Sequence, residues 1–203
     1  MRQPRYILLS VLIAFLLWFA AFVIRPFNFW LMMSANTVIL SVLALAAGTR
    51  AIEKKDLTPA NFLIGIASAA GLYGLFWAGG KLLFLIPGHQ SQLESIYATR
   101  SALPAAAVAA LLFFPIGFGE ELFWRGFVQT WFAGRYSKPA ALALTAAVYT
   151  AVHVPTLNPV LIIAAAVCGV YWGALYLATG SLLPVLISHM LWDPFIFVIR
   201  PLM

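Results

Sequence analysis

Acidic side chains are scarce in this chain. Six are present in 203 residues (Glu53, Asp56, Glu94, Glu120, Glu121 and Asp193), and charged residues of both signs make up only 9%. Soluble domains carry charge on about a quarter of their residues, so a soluble globular class is excluded. There is one cysteine, Cys168. It cannot form an internal disulfide, and in its apolar surroundings it reads as a small packing residue. No His-Glu-x-x-His is present, which excludes a zinc site with both histidines on one helix. No Gly-x-Gly-Asp aspartyl pair is present either, since 117–120 reads Gly-Phe-Gly-Glu and has no second copy. Domain linkers, internal repeats and low-complexity tracts are also missing.

What is there is hydrocarbon. Hydrophobic residues make up 64% of the chain, and several runs approach the ~20 residues that cross a bilayer as a helix. The expected fold is all-α, a polytopic membrane protein forming one integral domain over 1–203. Seven spans are expected, at about 6–24, 27–47, 60–86, 102–132, 139–154, 159–178 and 182–199. The first is too long for a signal-peptide core and lacks a small-residue cleavage site, so it reads as a retained span. The fourth would be about 46 Å long as one straight helix, against a hydrocarbon core of ~30 Å. Pro115, Gly117 and Gly119 are expected to kink it or to turn its second half along the interface.

Net charge is +6, but the basic residues are spread over short connections and do not form the face that nucleic acid requires. They read as topology signals, and the lipid bilayer, not nucleic acid, is the expected partner. Arg2, Arg5, Arg50, Lys54, Lys55, Arg135 and Lys138 fall on one side of the spans; Arg25, Lys81, Arg100 and Arg200 fall on the other. The richer side faces the cytoplasm by the positive-inside rule, which puts the N-terminus inside and, with seven spans, the C-terminus outside. Smaller features have bland readings. Lys81 snorkels to the interface, and His89 lies in an exposed loop or interfacial helix over 88–100. Gly169 and Gly173 suit close helix contact. Asn28, Asn36 and Asn61 cap or join helices, while Trp124, Trp131, Trp172 and Trp192 are interface or packing aromatics.

Against this background six ionisable residues lie inside apolar spans: Glu120, Glu121, Arg125, His153, His189 and Asp193. A charge at membrane depth costs about 2.5–3.5 kcal/mol on insertion scales and marks a functional site by default. Their spacing pairs them. Glu121 with Arg125, Tyr149 with His153, and His189 with Asp193 are each one helical turn apart. Three helices therefore carry polar faces that must converge on a partly hydrated interior. Amide hydrolysis needs a base for water, an acid for the leaving amine and donors for the oxyanion, and this roster contains such groups. Tyr149 itself reads as packing. Ser188 beside His189 is not a serine-protease pair, because helix neighbours point about 100° apart.

The ordered set Glu120-Glu121-x-x-x-Arg125, Tyr149-x-x-x-His153 and His189-x-x-x-Asp193 resembles the three motifs of the CPBP family of intramembrane proteases. This family is also called Abi, or CAAX protease and bacteriocin-processing, and includes the type II CAAX prenyl endopeptidases. The resemblance covers about 117–193. It implies a helical membrane core with its site open toward the cytoplasmic half of the bilayer. It also implies that Glu120 activates water with help from His153, that Glu121 and Arg125 organise the pocket, and that His189 with Asp193 stabilises the oxyanion or positions water. Tyr149 stands where the second motif commonly has Phe. Asp193 stands where prenyl-protease members usually have Asn, which points away from a prenylated substrate more than from the family. The family has been described both as metalloproteases and as glutamate proteases. The cofactor is thus either none or a divalent metal such as zinc, with Glu120, His153 and His189 as candidate ligands. The expected substrate is a membrane-associated peptide or protein, and the expected location is a bacterial inner or plasma membrane. Two other functions stay open, a non-catalytic scaffold or bacteriocin-immunity-type protein and a proton-coupled transporter.

Overall fold

A computed structural model describes residues 4–202. Arg2, one of the basic residues that set the expected orientation, lies outside the described residues. The chain is 83% helix and has no strands among the described residues. Eight helices carry the architecture: α1 (Pro4–Ile24), α2 (Phe29–Ala46), α3 (Pro59–Gly80), α4 (His89–Ala98), α5 (Ala105–Ala133), α6 (Lys138–Ala151), α7 (Pro159–Thr179) and α8 (Leu182–Ile199).

Their starts follow from the local sequence. Asn28 accepts from the backbone N–H groups of Trp30 and Leu31, and Thr58 caps α3 ahead of Pro59. Ser137 caps α6, Asn158 caps α7 and Ser181 caps α8. A side-chain oxygen at the N-cap satisfies a backbone donor that the helix leaves unpaired, and proline at the first turn loses no bond. Gly180 ends α7 at φ +64°, a conformation glycine adopts without a Cβ penalty. Asn36 instead joins two helices, donating to the Leu17 carbonyl at 2.9 Å.

Six helices are long and apolar enough to cross a membrane, and the chain is an integral membrane protein. The expected fifth span, 139–154, is the exception. Its helix α6 has 14 residues, about 21 Å at 1.5 Å per residue, which falls short of the ~30 Å core. It stops at Ala151 and gives way to a turn through Pro155, with Leu157 at φ +52°. Apolar side chains such as Leu8, Leu12 and Leu16 on α1 and Leu63 and Ile66 on α3 point outward, as lipid contact requires.

The fourth span is broken where proline chemistry requires it. Phe114 leaves the helix at φ −152°, ψ 128°, because the residue before a proline is pushed to extended backbone. Gly117 and Gly119 lie in helical backbone beyond this break and serve close packing. A Cβ on Gly117 would lie 3.2 Å from the Met190 Cα, and one on Gly119 would lie 2.9 Å from Thr37 Cβ. The two glycines let α5 press against α8 and α2, which brings Glu120 and Glu121 to the centre of the molecule.

The two ends differ. At one lie the start of α1, the 47–58 loop, the 134–137 turn and the 180–181 turn. At the other, the short helix α4 runs under the remaining connections. Asn158 donates to the Gln92 carbonyl at 3.0 Å, Trp30 Nε1 to the Thr99 carbonyl at 2.8 Å, and Tyr97 Oη to the Ile196 carbonyl at 3.1 Å.

Candidate active site

Two adjacent residues of α5 build two different environments. Glu121 and Arg125 are both fully buried, and Arg125 Nη1 donates to Glu121 Oε1 at 2.7 Å across one helical turn. Arg125 Nη2 also donates to the backbone carbonyls of Cys168 and Gly169, each at 3.1 Å. Those carbonyls can be shared because α7 packs tightly on α6 at this point. A Cβ on Gly169 would lie 3.2 Å from the Tyr149 ring. Lower on the same face, Gln129 donates to the Gly173 carbonyl at 2.9 Å. The glycine pair of α7 is thus a packing feature, as its spacing predicts.

His189 on α8 completes this cluster. Its Nδ1 lies 2.6 Å from Glu121 Oε1 and its Nε2 lies 3.1 Å from Asp193 Oδ2. Carboxylates only accept, so with both ionised each contact needs an N–H and the ring is an imidazolium. The Trp172 indole stacks on that ring, with centroids 3.7 Å apart and planes 16° apart. A flat cation over an indole face is a favourable electrostatic contact. Trp172 is held in turn by its own N–H, which donates to Ser188 Oγ at 3.1 Å. Ser188 also lies 3.0 Å from Ser68 Oγ and takes no part in the carboxylate cluster.

Glu120 faces the other way. Its Oε2 accepts from the Tyr149 hydroxyl at 3.0 Å. The same tyrosine accepts at its backbone carbonyl from His153 Nδ1 at 2.8 Å. With the proton on Nδ1, His153 Nε2 is the acceptor for the Trp18 indole N–H at 3.3 Å. His153 is therefore a neutral ring in a defined tautomer. It makes no direct bond to a carboxylate, and Tyr149 is the link between it and Glu120.

Four of the six predicted residues, Glu120, His153, His189 and Asp193, line one cavity of about 430 Å³, and Tyr149, read from the sequence as packing, lines it with them. Glu121 and Arg125 stand behind that wall. The remaining lining is mostly apolar, including Phe22, Phe29, Phe76, Trp192 and Phe197. The cavity runs from the buried carboxylates toward α4, where the exposed residues Arg25, Gly79 and Ser95 border it.

Zinc does not fit this donor set. Among the described residues no three of His, Cys, Asp and Glu are grouped as a ligand set. Both ring nitrogens of His153 and both of His189 already hold protein partners. A metal bound by Glu120, His153 and His189 would have to break two of these bonds.

Two aromatic partners lie beyond the reach of the sequence. Trp172 reads there as a packing aromatic, yet it stacks on His189. Trp18 comes from α1, 135 positions from His153, and no spacing rule connects them. The one available signal for Trp172 is its position between Gly169 and Gly173, which marks it as facing a tightly packed neighbour.

No curated protein and no solved structure matches this chain. A family model described as type II CAAX prenyl endopeptidase Rce1-like matches residues 101–195, a segment that contains all six ionisable residues of the cluster. Over 101–195 the chain is similar to the type II CAAX prenyl endopeptidase Rce1-like family, the family its three motifs resemble.

Proposed function

We propose that this protein is an intramembrane endopeptidase in which Glu120 activates the attacking water. The family match supports a CAAX-type endopeptidase in general; the assignment of roles rests on the surroundings of Glu120. One oxygen of this buried carboxylate is held by Tyr149, and its other oxygen has no hydrogen bond among the described residues, on the wall of a cavity large enough for a peptide segment. That observation carries the reading.

The chemistry follows from the geometry. Glu120 takes a proton from water, and the hydroxide attacks the carbonyl carbon of the scissile amide. The C–N bond then breaks as the same proton passes to the leaving nitrogen. Asp193 holds His189 with one oxygen and lines the cavity, so its second oxygen positions the water or the substrate amide. His189, Glu121 and Arg125 put a fixed balance of charge behind the reacting centre. His189 donates to the oxyanion only by giving up its bond to Asp193. His153 assists by exchanging the Trp18 N–H for a water proton.

A scaffold would explain the sealed Glu121 cluster equally well. It does not explain why Glu120 turns its free oxygen to a cavity, whereas the free Oε2 of Glu121 is sealed in the interior. The test is comparative proteomics of membranes from cells carrying the wild-type protein or Glu120→Gln. One precursor polypeptide should accumulate uncut in the variant. Identical membrane proteomes with equal protein levels would remove the peptidase reading.

A further inference from the structure

Positive charge is nearly absent from the walls of the cavity. Among the residues that line it, Arg25 is the one lysine or arginine; the other exposed lining residues, Leu75, Gly79, Ser95 and Ile163, carry no charge. The buried ionisable lining residues, Glu120, His153, His189 and Asp193, belong to the reacting centre. Arg25 stands at the exposed rim, outside the residues 101–195 that the family model matches, and from the sequence it reads as a topology signal.

Its backbone conformation costs more than ending a helix requires. Arg25 follows the last turn of α1 at φ 50°, ψ 52°, a left-handed conformation that is unfavourable for an L residue and that glycine adopts freely. Its N–H donates to the Ala20 carbonyl at 2.8 Å, a bond that glycine would also make. What glycine cannot supply is the side chain. The Nε–H donates to the Phe22 carbonyl at 2.9 Å, which orients the guanidinium. The two Nη groups have no hydrogen bond and no acidic partner among the described residues. Strained non-glycine positions cluster at ligand clamps, where the surrounding contacts hold them. A planar fork with free N–H groups matches a carboxylate, which it grips with two parallel bonds.

Position relates this fork to the reacting centre. Phe22, one turn earlier on α1, lies edge-on to the His153 ring with centroids 5.6 Å apart. Arg25 is about 4.5 Å further along the helix axis. A peptide lying extended in the cavity advances about 3.3 Å per residue, so the group it brings to Arg25 lies a few residues from the bond it brings to Glu120. We infer that Arg25 is a specificity residue that pairs with a carboxylate of the substrate, an acidic side chain or the free end of the chain, a few residues from the scissile bond. The word substrate rests on the peptidase reading; the pairing of the fork with a carboxylate does not. Apolar walls hold a segment without fixing its register, and one charge at the rim selects which segment is held and where.

A peptide library tests this with binding and cleavage read separately. Dodecapeptides randomised over Ala, Leu, Phe, Ser and Glu, with free or amidated C-termini, are offered to purified protein in phosphatidylcholine nanodiscs. Peptides retained by Glu120→Gln protein, and products released by the wild type, are identified by mass spectrometry. Carboxylate-bearing peptides should be enriched about three- to tenfold among those retained. Adding Arg25→Gln should abolish the enrichment, and Arg25→Lys, which keeps the charge without the fork, should keep part of it. Arg25→Gly, which suits the left-handed backbone, should lose it as fully as Arg25→Gln, since the fork and not the turn makes the selection. Enrichment that persists in amidated peptides puts the carboxylate on a side chain; enrichment lost on amidation puts it at the chain end. No enrichment, or the same enrichment after Arg25→Gln, overturns the inference. So does Arg25-dependent retention of phosphatidylglycerol added to the nanodiscs with no effect on peptides, which assigns the fork to a lipid phosphate. Wild-type products no greater than those of Glu120→Gln bear on the peptidase reading alone, so the two failures are told apart.

Discussion

Glu120 and Glu121 are neighbours on α5 with opposite surroundings. Glu121 is sealed between Arg125 and His189, with one of its oxygens taking both partners. Glu120 gives one oxygen to Tyr149 and leaves the other beside the cavity. The difference arises because successive helix positions point about 100° apart. One carboxylate turns toward α7 and α8, the other toward α6 and the open space. Two acids placed together in hydrocarbon thus divide the work. Glu121, together with Asp193, balances the arginine and histidine that hold three helices together, and Glu120 keeps one oxygen beside the cavity.

That division can be broken at several points. Glu121→Ala should do the most damage to the fold. It leaves Arg125 with only two carbonyl partners, and loss of one member of a buried ion pair costs about 3–5 kcal/mol. Thermal unfolding of the purified protein in detergent should show a large drop, and an unchanged melting temperature would contradict the sealed-cluster account. Tyr149→Phe should act on the other carboxylate. It removes one hydrogen bond to a charged group, worth about 1.5–3 kcal/mol, and leaves the ring packing of Tyr149 against Trp124 and His153 in place. Its melting temperature should fall modestly while cleavage slows about tenfold or more. Phenylalanine is also the residue the family pattern commonly has there, so an unaffected rate would assign the hydroxyl to packing.

The smallest effect belongs to a pair outside the membrane. Lys55 lies 2.9 Å from Glu53 in the 47–58 loop and holds that carboxyl below its ordinary range through a hydrogen bond and charge. A depressed carboxylate adds stability above its ordinary titration range and loses it as pH falls through the folded value. Both groups are solvated, and exposed pairs contribute little. Lys55→Ala should leave thermal unfolding unchanged at neutral pH, in contrast to Glu121→Ala. A comparable loss from both would mean that burial is not what separates the two pairs.

Much of this site is legible in the sequence, for a local reason. Glu121 with Arg125 and His189 with Asp193 are one turn apart on their own helices, so spacing alone brings each pair together. The cost of charge in hydrocarbon then requires the helices to face one another. What spacing does not carry is the partner from a distant helix. Trp18 reaches His153 from α1, Trp172 covers His189 from α7, and the Cys168 and Gly169 carbonyls take Arg125 from across the bundle. The shortness of α6 is hidden because the apolar run continues through Val152 and Val154 after the helix has stopped. The break in α5 falls at Phe114, one residue before the proline that causes it, since proline acts on the backbone ahead of it.

The most direct test uses purified wild-type and Glu120→Gln protein in bilayer vesicles with the precursor found by membrane proteomics. Loss of a positioned general base lowers rates by about 10²–10⁴. If Glu120 activates the water, cleavage by the variant falls by that factor with thermal unfolding nearly unchanged, because the amide oxygen of the substituted side chain still accepts from Tyr149. Cleavage at the wild-type rate by the folded variant would contradict it.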